Sequence, residues 1–302
     1  MKIIAIVIIS LLNGQNLLDY LKGPITMRVG LINGYDDNVL RFSDIEKHQA
    51  STNKYIMGGS NTFDSHFSRL HFIGEKRIKL ASTGKYINFY SKFNISNYSN
   101  NVNRQHWSGI IKSTYRWGSY KKLSYSIRHL NSYYIRHYID RDISNNELMP
   151  CSFSDREQIV ETTYPVKRGQ WITLQLSYNQ RYYDKPFTEF DLDILSSYFK
   201  ISRKIDDFGT IAIAFKYGEA TNTTFGNTAK ASYLDRSYNN FEWYIPLTYN
   251  TKTRLINKIG ISIRRDFRNY IAESAGDPLH SGRNHKDSKF NFWAERKINE
   301  SF

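Results

Sequence analysis

Few residues in this chain are spaced for catalysis. His280-Ser281-Gly282 places a hydroxyl beside an imidazole, but side chains adjacent in sequence rarely reach the geometry of a catalytic triad, and the G-x-S-x-G nucleophile elbow is missing. Asp191 and Asp193 share a strand face, so they could form a carboxylate pair or answer nearby cations. The residue types and their spacing therefore predict no enzyme.

The sequence also gives little indication of a metal or cofactor site. The pairs His66 with His71 and His129 with His137 do not present a metal-binding spacing on one strand face. Cys151 is the single cysteine; it cannot form an internal disulfide and lies in a segment that reads as a loop. No glycine-rich phosphate loop occurs. We expect no metal and no cofactor.

Basic residues occupy alternate positions of the apolar runs. Of the patterns in the sequence, this one suggests a function. If the apolar positions face lipid, the basic positions face a lumen. This predicted lumen-lining set comprises Arg69, Arg77, Lys79, Lys92, Lys112, Arg116, Arg128, Arg136, Lys216, Lys258 and Arg264. The acidic residues expected on the same face are fewer, namely Glu75, Glu161, Asp191, Asp193, Glu242 and Glu295. Such a lumen would favour anions, unless its charges pair into a plug.

The apolar residues alternate with polar ones. This predicts β-strands, because successive side chains of a strand point to opposite faces, whereas the face of a helix repeats about every 3.6 residues. The segment Phe241 to Arg265 shows the pattern on both sides of the polar turn NTKTR. Similar runs recur from about Gly23 onwards and predict about twelve strands. The residues predicted to face lipid include Trp107, Trp117, Leu174, Leu176, Trp243, Ile245, Leu247, Ile259, Ile261 and Ile263. Pro246 lacks a ladder donor, so we expect a bulge there.

The connections between these runs differ in length. Short polar turns are predicted at residues 81–85, 118–122, 167–170, 204–210 and 250–254, and longer loops at residues 43–62, 140–155, 221–237 and 273–286. Brief links near residues 97–105 and 184–187 are exceptions. This arrangement predicts one up-and-down antiparallel meander.

A soluble sandwich or propeller also produces alternation, but several features favour a membrane barrel. The runs at residues 122–139, 188–204 and 255–270 exceed the about five or six residues usual in globular strands, and aromatic residues flank the apolar faces. A sheet in lipid must close, because each unpaired backbone group there costs several kcal/mol. Composition agrees, with 23 Tyr and 18 Phe in 302 residues.

The N-terminus MKIIAIVIISLLNG reads as an export signal, with Lys2 before a short apolar core that is too short to span a bilayer as a helix. We therefore expect a signal peptide at residues 1–14 and a single β-barrel domain at residues 15–302.

The export signal, the long alternating strands, the turn and loop pattern and the terminal Phe302 together resemble bacterial outer-membrane β-barrel proteins. GYDDNVLRF, residues 34–42, is similar to the GYDxN start of some of these barrels, including those of surface-lipoprotein export proteins. The periplasmic repeat domain of that export family is absent, so only the barrel is carried over. The resemblance implies residence in the outer membrane of a Gram-negative-type bacterium and help from the barrel-assembly machinery during biogenesis.

Two strand counts remain open, about twelve if Phe302 ends the barrel and about fourteen if the sequence stops at a thirteenth strand. The function predicted first is a porin-like channel for small anionic solutes, and the alternative is a non-conducting structural or surface-binding barrel that acts through its long loops. The net charge of +14 would also suit nucleic acid, but aromatic and basic residues segregate to opposite faces, so outer-membrane lipid and anionic solutes are the expected partners.

Overall fold

The structure is a computed structural model that describes residues 23–80, 84–140, 147–226, 234–251, 256–273 and 281–296. The predicted signal peptide, His280 and Phe302 lie outside the described residues. Among the residues described, no helix is long and apolar enough to cross a membrane.

Twelve strands form one sheet in which each strand pairs antiparallel with its sequence neighbours, which confirms the up-and-down all-β fold. The strands are β1 (Thr26–Asp36), β2 (Ser65–Leu80), β3 (Lys85–Tyr98), β4 (His106–Gly118), β5 (Lys121–Ile139), β6 (Leu148–Lys167), β7 (Gln170–Tyr183), β8 (Leu192–Ile205), β9 (Gly209–Asn222), β10 (Tyr238–Asn250), β11 (Lys258–Tyr270) and β12 (Asn284–Glu295).

Burial along the strands is the reverse of that in a water-soluble sheet. In β9 the small residue Ala214 is 1% exposed, whereas its large apolar neighbours Ile213 and Phe215 are each 38% exposed. Leu176 in β7 is 61% exposed, and the serine that follows it is buried. Alternating side chains stand on opposite faces of a strand, so one face of the sheet is polar and protected while the other is apolar and exposed.

The sheet curls around its polar face. Glu157 on β6 and Arg268 on β11 line one polar cavity of about 240 Å³, although four strands lie between them. Thr26 is the first residue of β1 and lies at the end of the sheet away from the β1–β2 connection. Following directly paired residues from strand to strand leads from Thr26 to His285 on β12, at the opposite end of the sheet. Such a stagger accompanies strands that tilt about a common axis. The polar face is therefore concave and the apolar face convex.

Strands β1 and β12 are the two edges of the described sheet, because no described strand pairs with their outer sides. Val29 on β1 is 67% exposed and Phe292 on β12 is 62% exposed. The two edge strands have similar lengths and run in opposite directions.

The connections segregate as the sequence predicts. The connections from β2 to β3, β4 to β5, β6 to β7, β8 to β9 and β10 to β11 are short, and we call their side of the sheet the turn end. The other connections meet at the opposite side, the loop end. The longest described one, residues 37–64, contains helix α1 (Asp44–Thr52) and a short 3-10 helix (Lys54–Met57), and two further 3-10 segments occur at Val102–Arg104 and Thr188–Phe190.

Several boundaries differ from the prediction; residues 284–286, for example, were expected in a loop but begin β12, and the starts of β6 and β8 differ most. Residues 148–155 were expected to be a loop but form the start of β6, because the last residues of β5 continue beyond β4 and pair with them. Cys151 therefore lies in a strand and is 2% exposed. The strand expected from Thr188 begins only at Leu192, since Thr188–Phe190 forms a 3-10 turn.

The predicted bulge at Pro246 is wrong. Pro246 lies opposite Ser262 in an unbroken register with β11. Towards β9 the pairing pauses between Tyr244 and Leu247 and then resumes in the same register. The missing proline N–H thus removes ladder contacts on one side without inserting an extra residue.

Candidate functional site

Cross-strand pairing shows which side chains share a face, because directly opposed residues in an antiparallel pair point the same way. Ten of the predicted lumen cations lie on the concave face; they are Arg69, Arg77, Lys79, Lys92, Lys112, Arg116, Arg128, Lys216, Lys258 and Arg264. The ten residues predicted to face lipid all lie on the convex face; they are Trp107, Trp117, Leu174, Leu176, Trp243, Ile245, Leu247, Ile259, Ile261 and Ile263. Which solvent each face meets stays a prediction.

Arg136 is the exception among the cations. The last residues of β5, from Tyr133 to Ile139, pair with β6 alone and extend past β4 at the loop end. There the Arg136 guanidinium donates to Glu46 of helix α1 at 2.7 Å. Arg136 therefore anchors a loop.

One line of directly opposed residues crosses the concave face from β2 to β12 without any carboxylate. We call it the basic row; it consists of Lys79, Tyr86, Arg116, Lys122, Thr163, Thr173, Lys200, Ala214, Tyr244, Arg264 and Lys289. Adjacent strands are about 4.8 Å apart, so cations recur along this line at intervals of one to three strands. Because the strands tilt, the row climbs from the turn end at β2 towards mid-height at β11 and β12.

Some cations of the row are neutralised from the neighbouring row. Lys122 donates to Glu161 at 2.5 Å, and Arg264 contacts Glu242 at 2.5 Å. Asp266 lies 3.9 Å from the same Arg264 guanidinium. Carboxylates on β6, β10 and β11 therefore neutralise part of the positive charge of the basic row.

The ion pairs continue on β5, β6 and β7 towards the loop end. Arg181 donates from two nitrogens to both oxygens of Asp155, each at 2.9 Å, and Arg128 donates to Glu157 at 2.8 Å. Two-pronged pairs of this kind fix geometry as well as charge. This part of the concave face is close to neutral.

The wall formed by β2, β3 and β4 is different. Lys79, Lys92, Lys112 and Arg116 make no ion pair with any residue that the structure describes. Glu75 is the carboxylate on the concave face of these strands, and it pairs with Arg28 of β1 at 2.6 Å. The concave face thus has an ion-paired side and an unpaired cationic side.

Residues 37–64 form a compact cap at the loop end. Leu40, Phe42, Ala50 and Met57 bury together against Tyr134 in the extension of β5. Gly58 has a φ of +63°, and a Cβ at that position would lie 2.5 Å from the Tyr134 hydroxyl oxygen, so only glycine allows this close approach.

Glu46 ties the cap together. One carboxylate oxygen accepts from the Ser43 backbone N–H at 2.8 Å in a capping box, and the other accepts from Arg136. Burial alone would raise the pKa of Glu46, but the hydrogen bonds from Ser43 and the Arg136 guanidinium hold it below its ordinary value of 4.5.

The prediction that Asp191 and Asp193 line the lumen is wrong. Asp193 lies on the convex face, where it accepts from the hydroxyls of Tyr178 and Tyr182 at 2.9 Å and 3.0 Å. Asp191 precedes β8, is 2% exposed, and accepts from the Tyr183 backbone N–H. Neither carboxylate faces the cations of the concave sheet, because the register of β8 is unbroken and places Asp193 on the same face as Leu195, opposite to that of Lys200.

The histidine pairs do not converge. His66 and His71 stand on opposite faces of β2, and the described residues contain no group of side chains that could hold a metal ion. His137 accepts from or donates to the Tyr134 hydroxyl at 2.7 Å and so belongs to the cap. Of the neighbouring His280 and Ser281, which are not predicted to be catalytic, only Ser281 is described.

Sequence reasoning missed several charged residues of the concave face. The missed cations include Arg28, Lys122, Arg181, Lys200, Lys204, Arg268 and Lys289, and the missed carboxylates include Asp155, Glu157, Asp266 and Asp287. Strict parity counting within each run would have found most of them.

Comparisons with protein-family models, with curated proteins and with solved structures give no match to this chain.

Proposed function

We propose that the chain forms an outer-membrane β-barrel that conducts small anionic solutes through its concave interior. The observation that carries this proposal is the basic row, which crosses the concave face from β2 to β12 with six cations and no carboxylate. Cations that line a water-filled path lower the electrostatic barrier for anions and raise it for cations.

The convex face supports a membrane setting. Ile111, Leu176 and Leu195 are each 60% exposed or more, and similar residues continue around the sheet. A soluble protein seldom exposes a contiguous apolar surface of this extent. In lipid the same residues gain about 25 cal/mol for each Å² removed from water.

Lipid also requires that the sheet has no free edge. The outer sides of β1 and β12 must therefore be paired in the membrane, and their antiparallel directions suit a closed ring. The outer membrane as location, its lipid as partner and assistance from the assembly machinery follow as parts of the same proposal.

The test is a planar-bilayer recording of the purified full chain under a potassium chloride gradient. We expect a reversal potential of the sign that chloride selectivity gives. Lys200→Gln, which removes a cation of the basic row, should move the reversal potential towards zero. Arg203→Gln, a matched change on the convex face of the same strand, should not. A protein that inserts and passes no current, or a cation-selective current, would reject the proposal.

A non-conducting barrel that acts through its loops is the second candidate, and the observation that favours it is the cap. Residues 37–64 have a buried apolar cluster of their own that packs against Tyr134 of β5, as a loop that serves as a binding surface would need. If the wild-type protein inserts without current and a variant lacking residues 37–64 behaves likewise, the barrel is closed for reasons other than the cap and the second candidate is favoured.

A further inference from the structure

The turn end of the concave face holds a cluster of cations that take part in none of the ion pairs described above. Lys79 on β2 and Arg116 on β4 lie directly opposite Tyr86 on β3, one on each side. The Arg77 guanidinium lies over the Tyr86 ring, 4.6 Å from its centre. Three cations thus surround one aromatic side chain.

We infer that Arg77, Lys79 and Arg116 around Tyr86 form a binding site for anions that carry two phosphate-type groups, at the turn-end entrance of the lumen. This inference rests on the proposed anion channel, since it names the class of solute that the channel admits.

Among the described residues, these three cations lack a counter-charge. None of the three cations makes an ion pair with a carboxylate of the described residues, and Glu75, the acidic residue on the same wall, is engaged by Arg28. Neighbouring like charges on a sheet are destabilising. Lys122, the next cation of the row, is already neutralised by Glu161. A bound anion would supply the charge that the wall lacks.

The geometry favours a divalent or larger oxyanion over chloride. Lys79 and Arg116 are two strands apart, roughly 10 Å between backbones, and their long side chains can approach each other across Tyr86. Two of the three groups are guanidinium forks, which match two oxygens of a phosphate at once. Chloride would neutralise one cation only, whereas two linked phosphate groups reach both sides of the tyrosine ring.

The role of Tyr86 in this site is to position the cations. Tyr86 lies between Lys79 and Arg116 in the strand register, and its ring supports the Arg77 guanidinium by a cation–π contact. Tyr86→Phe should therefore retain the site, whereas Tyr86→Leu should weaken it, because an aliphatic side chain offers no aromatic face to Arg77.

The experiment is isothermal titration of pyrophosphate into the full chain folded in a nonionic detergent at low salt. We expect saturable binding by the wild type. Arg116→Gln and Lys79→Gln should each weaken it by roughly tenfold or more, the cost of one charge-assisted hydrogen bond. Arg203→Gln and Lys85→Gln, which remove convex-face cations at the turn end, are the matched controls and should stay within about twofold of wild type. Lys79→Arg keeps the positive charge and should therefore bind pyrophosphate about as well as the wild type.

Absence of pyrophosphate binding, or unchanged affinity in Arg116→Gln and Lys79→Gln that keep the β-sheet circular dichroism spectrum, would overturn the inference. Bilayer recordings in chloride separate the two proposals. Chloride-selective current without pyrophosphate binding rejects the site and leaves the channel. Site-dependent pyrophosphate binding by a protein that passes no current rejects the channel and leaves the site.

Discussion

At the scale of single residues, the pair formed by Arg181 and Asp155 is the best-defined interaction on the concave face. Both carboxylate oxygens of Asp155 accept from the guanidinium, each at 2.9 Å, and both side chains are about one-fifth to one-third exposed. Its partial burial makes it more consequential than an exposed ion pair.

We predict that Asp155→Asn lowers the free energy of unfolding by about 1–3 kcal/mol, because the partly buried guanidinium loses its charged acceptor. Urea titration of the folded protein, followed by tryptophan fluorescence, measures the change. Asp287→Asn is the control, since the Asp287 side chain is 80% exposed and lies 3.9 Å from His285. Equal effects of the two substitutions would mean that the two-pronged geometry adds nothing.

The face on which a residue lies follows from sequence alone wherever the strand is regular. Lys112, Lys216 and Arg264 lie on the concave face because the side-chain period of two is unbroken around them. The prediction for Asp193 is wrong because Ile194 and Leu195 are both apolar, so the alternation does not say which face is apolar there, and the register places Asp193 on the convex face with Leu195. The ion pairs and the basic row could not be predicted, since both depend on cross-strand register, which alternation within one strand does not contain.

At the scale of elements, the cap depends on one carboxylate. Glu46 closes the capping box of α1 and also binds Arg136. Its pKa lies below the ordinary value, so its contribution is complete above pH 4.5 and is lost as the pH falls through the lower folded-state value.

We therefore predict that protection of residues 37–64 against amide hydrogen exchange is constant from neutral pH down to about 5 and declines in more acidic solution. Mass spectrometry of the corresponding peptides, corrected for intrinsic exchange rates, measures it. Glu46→Gln should show weak protection at neutral pH and little further change with acid. A decline of equal size in that variant would assign the effect to another group.

The extension of β5 and β6 makes a second prediction at this scale. Cys151 is 2% exposed, so the folded protein should not react with a maleimide until denaturant is added. Ser51→Cys in a Cys151→Ser background, on the exposed side of α1, should react readily. Rapid labelling of Cys151 in the folded state would contradict its burial between β5 and the start of β6.

The sequence indicated the strands better than the cap. Strand alternation is a local property, and the twelve strands were countable from it. Helix α1 is only nine residues long and has a single buried residue, Ala50, so its periodicity gave no signal. Its capping box, Ser43 with Glu46, was the one local mark that a search for helix starts could have found.

At the scale of the whole molecule, the decisive question is which solvent meets the convex face. Leu176 and Gln175 are neighbours in the middle of β7 but stand on opposite faces. Leu176 is 61% exposed, whereas Gln175 lies directly opposite Glu161 on the concave face. The same substitution at the two positions therefore separates a lipid-facing wall from a water-facing one.

We predict that Leu176→Arg lowers the free energy of unfolding from phospholipid vesicles by about 2–4 kcal/mol, the cost of placing a guanidinium on a lipid-facing strand near the bilayer midplane. Gln175→Arg should cost far less, because Glu161 can pair with the new charge in a hydrated interior. Urea titration in vesicles gives both values. If Leu176→Arg is as well tolerated as Gln175→Arg, the convex face meets water, and the membrane barrel and the anion channel fail together.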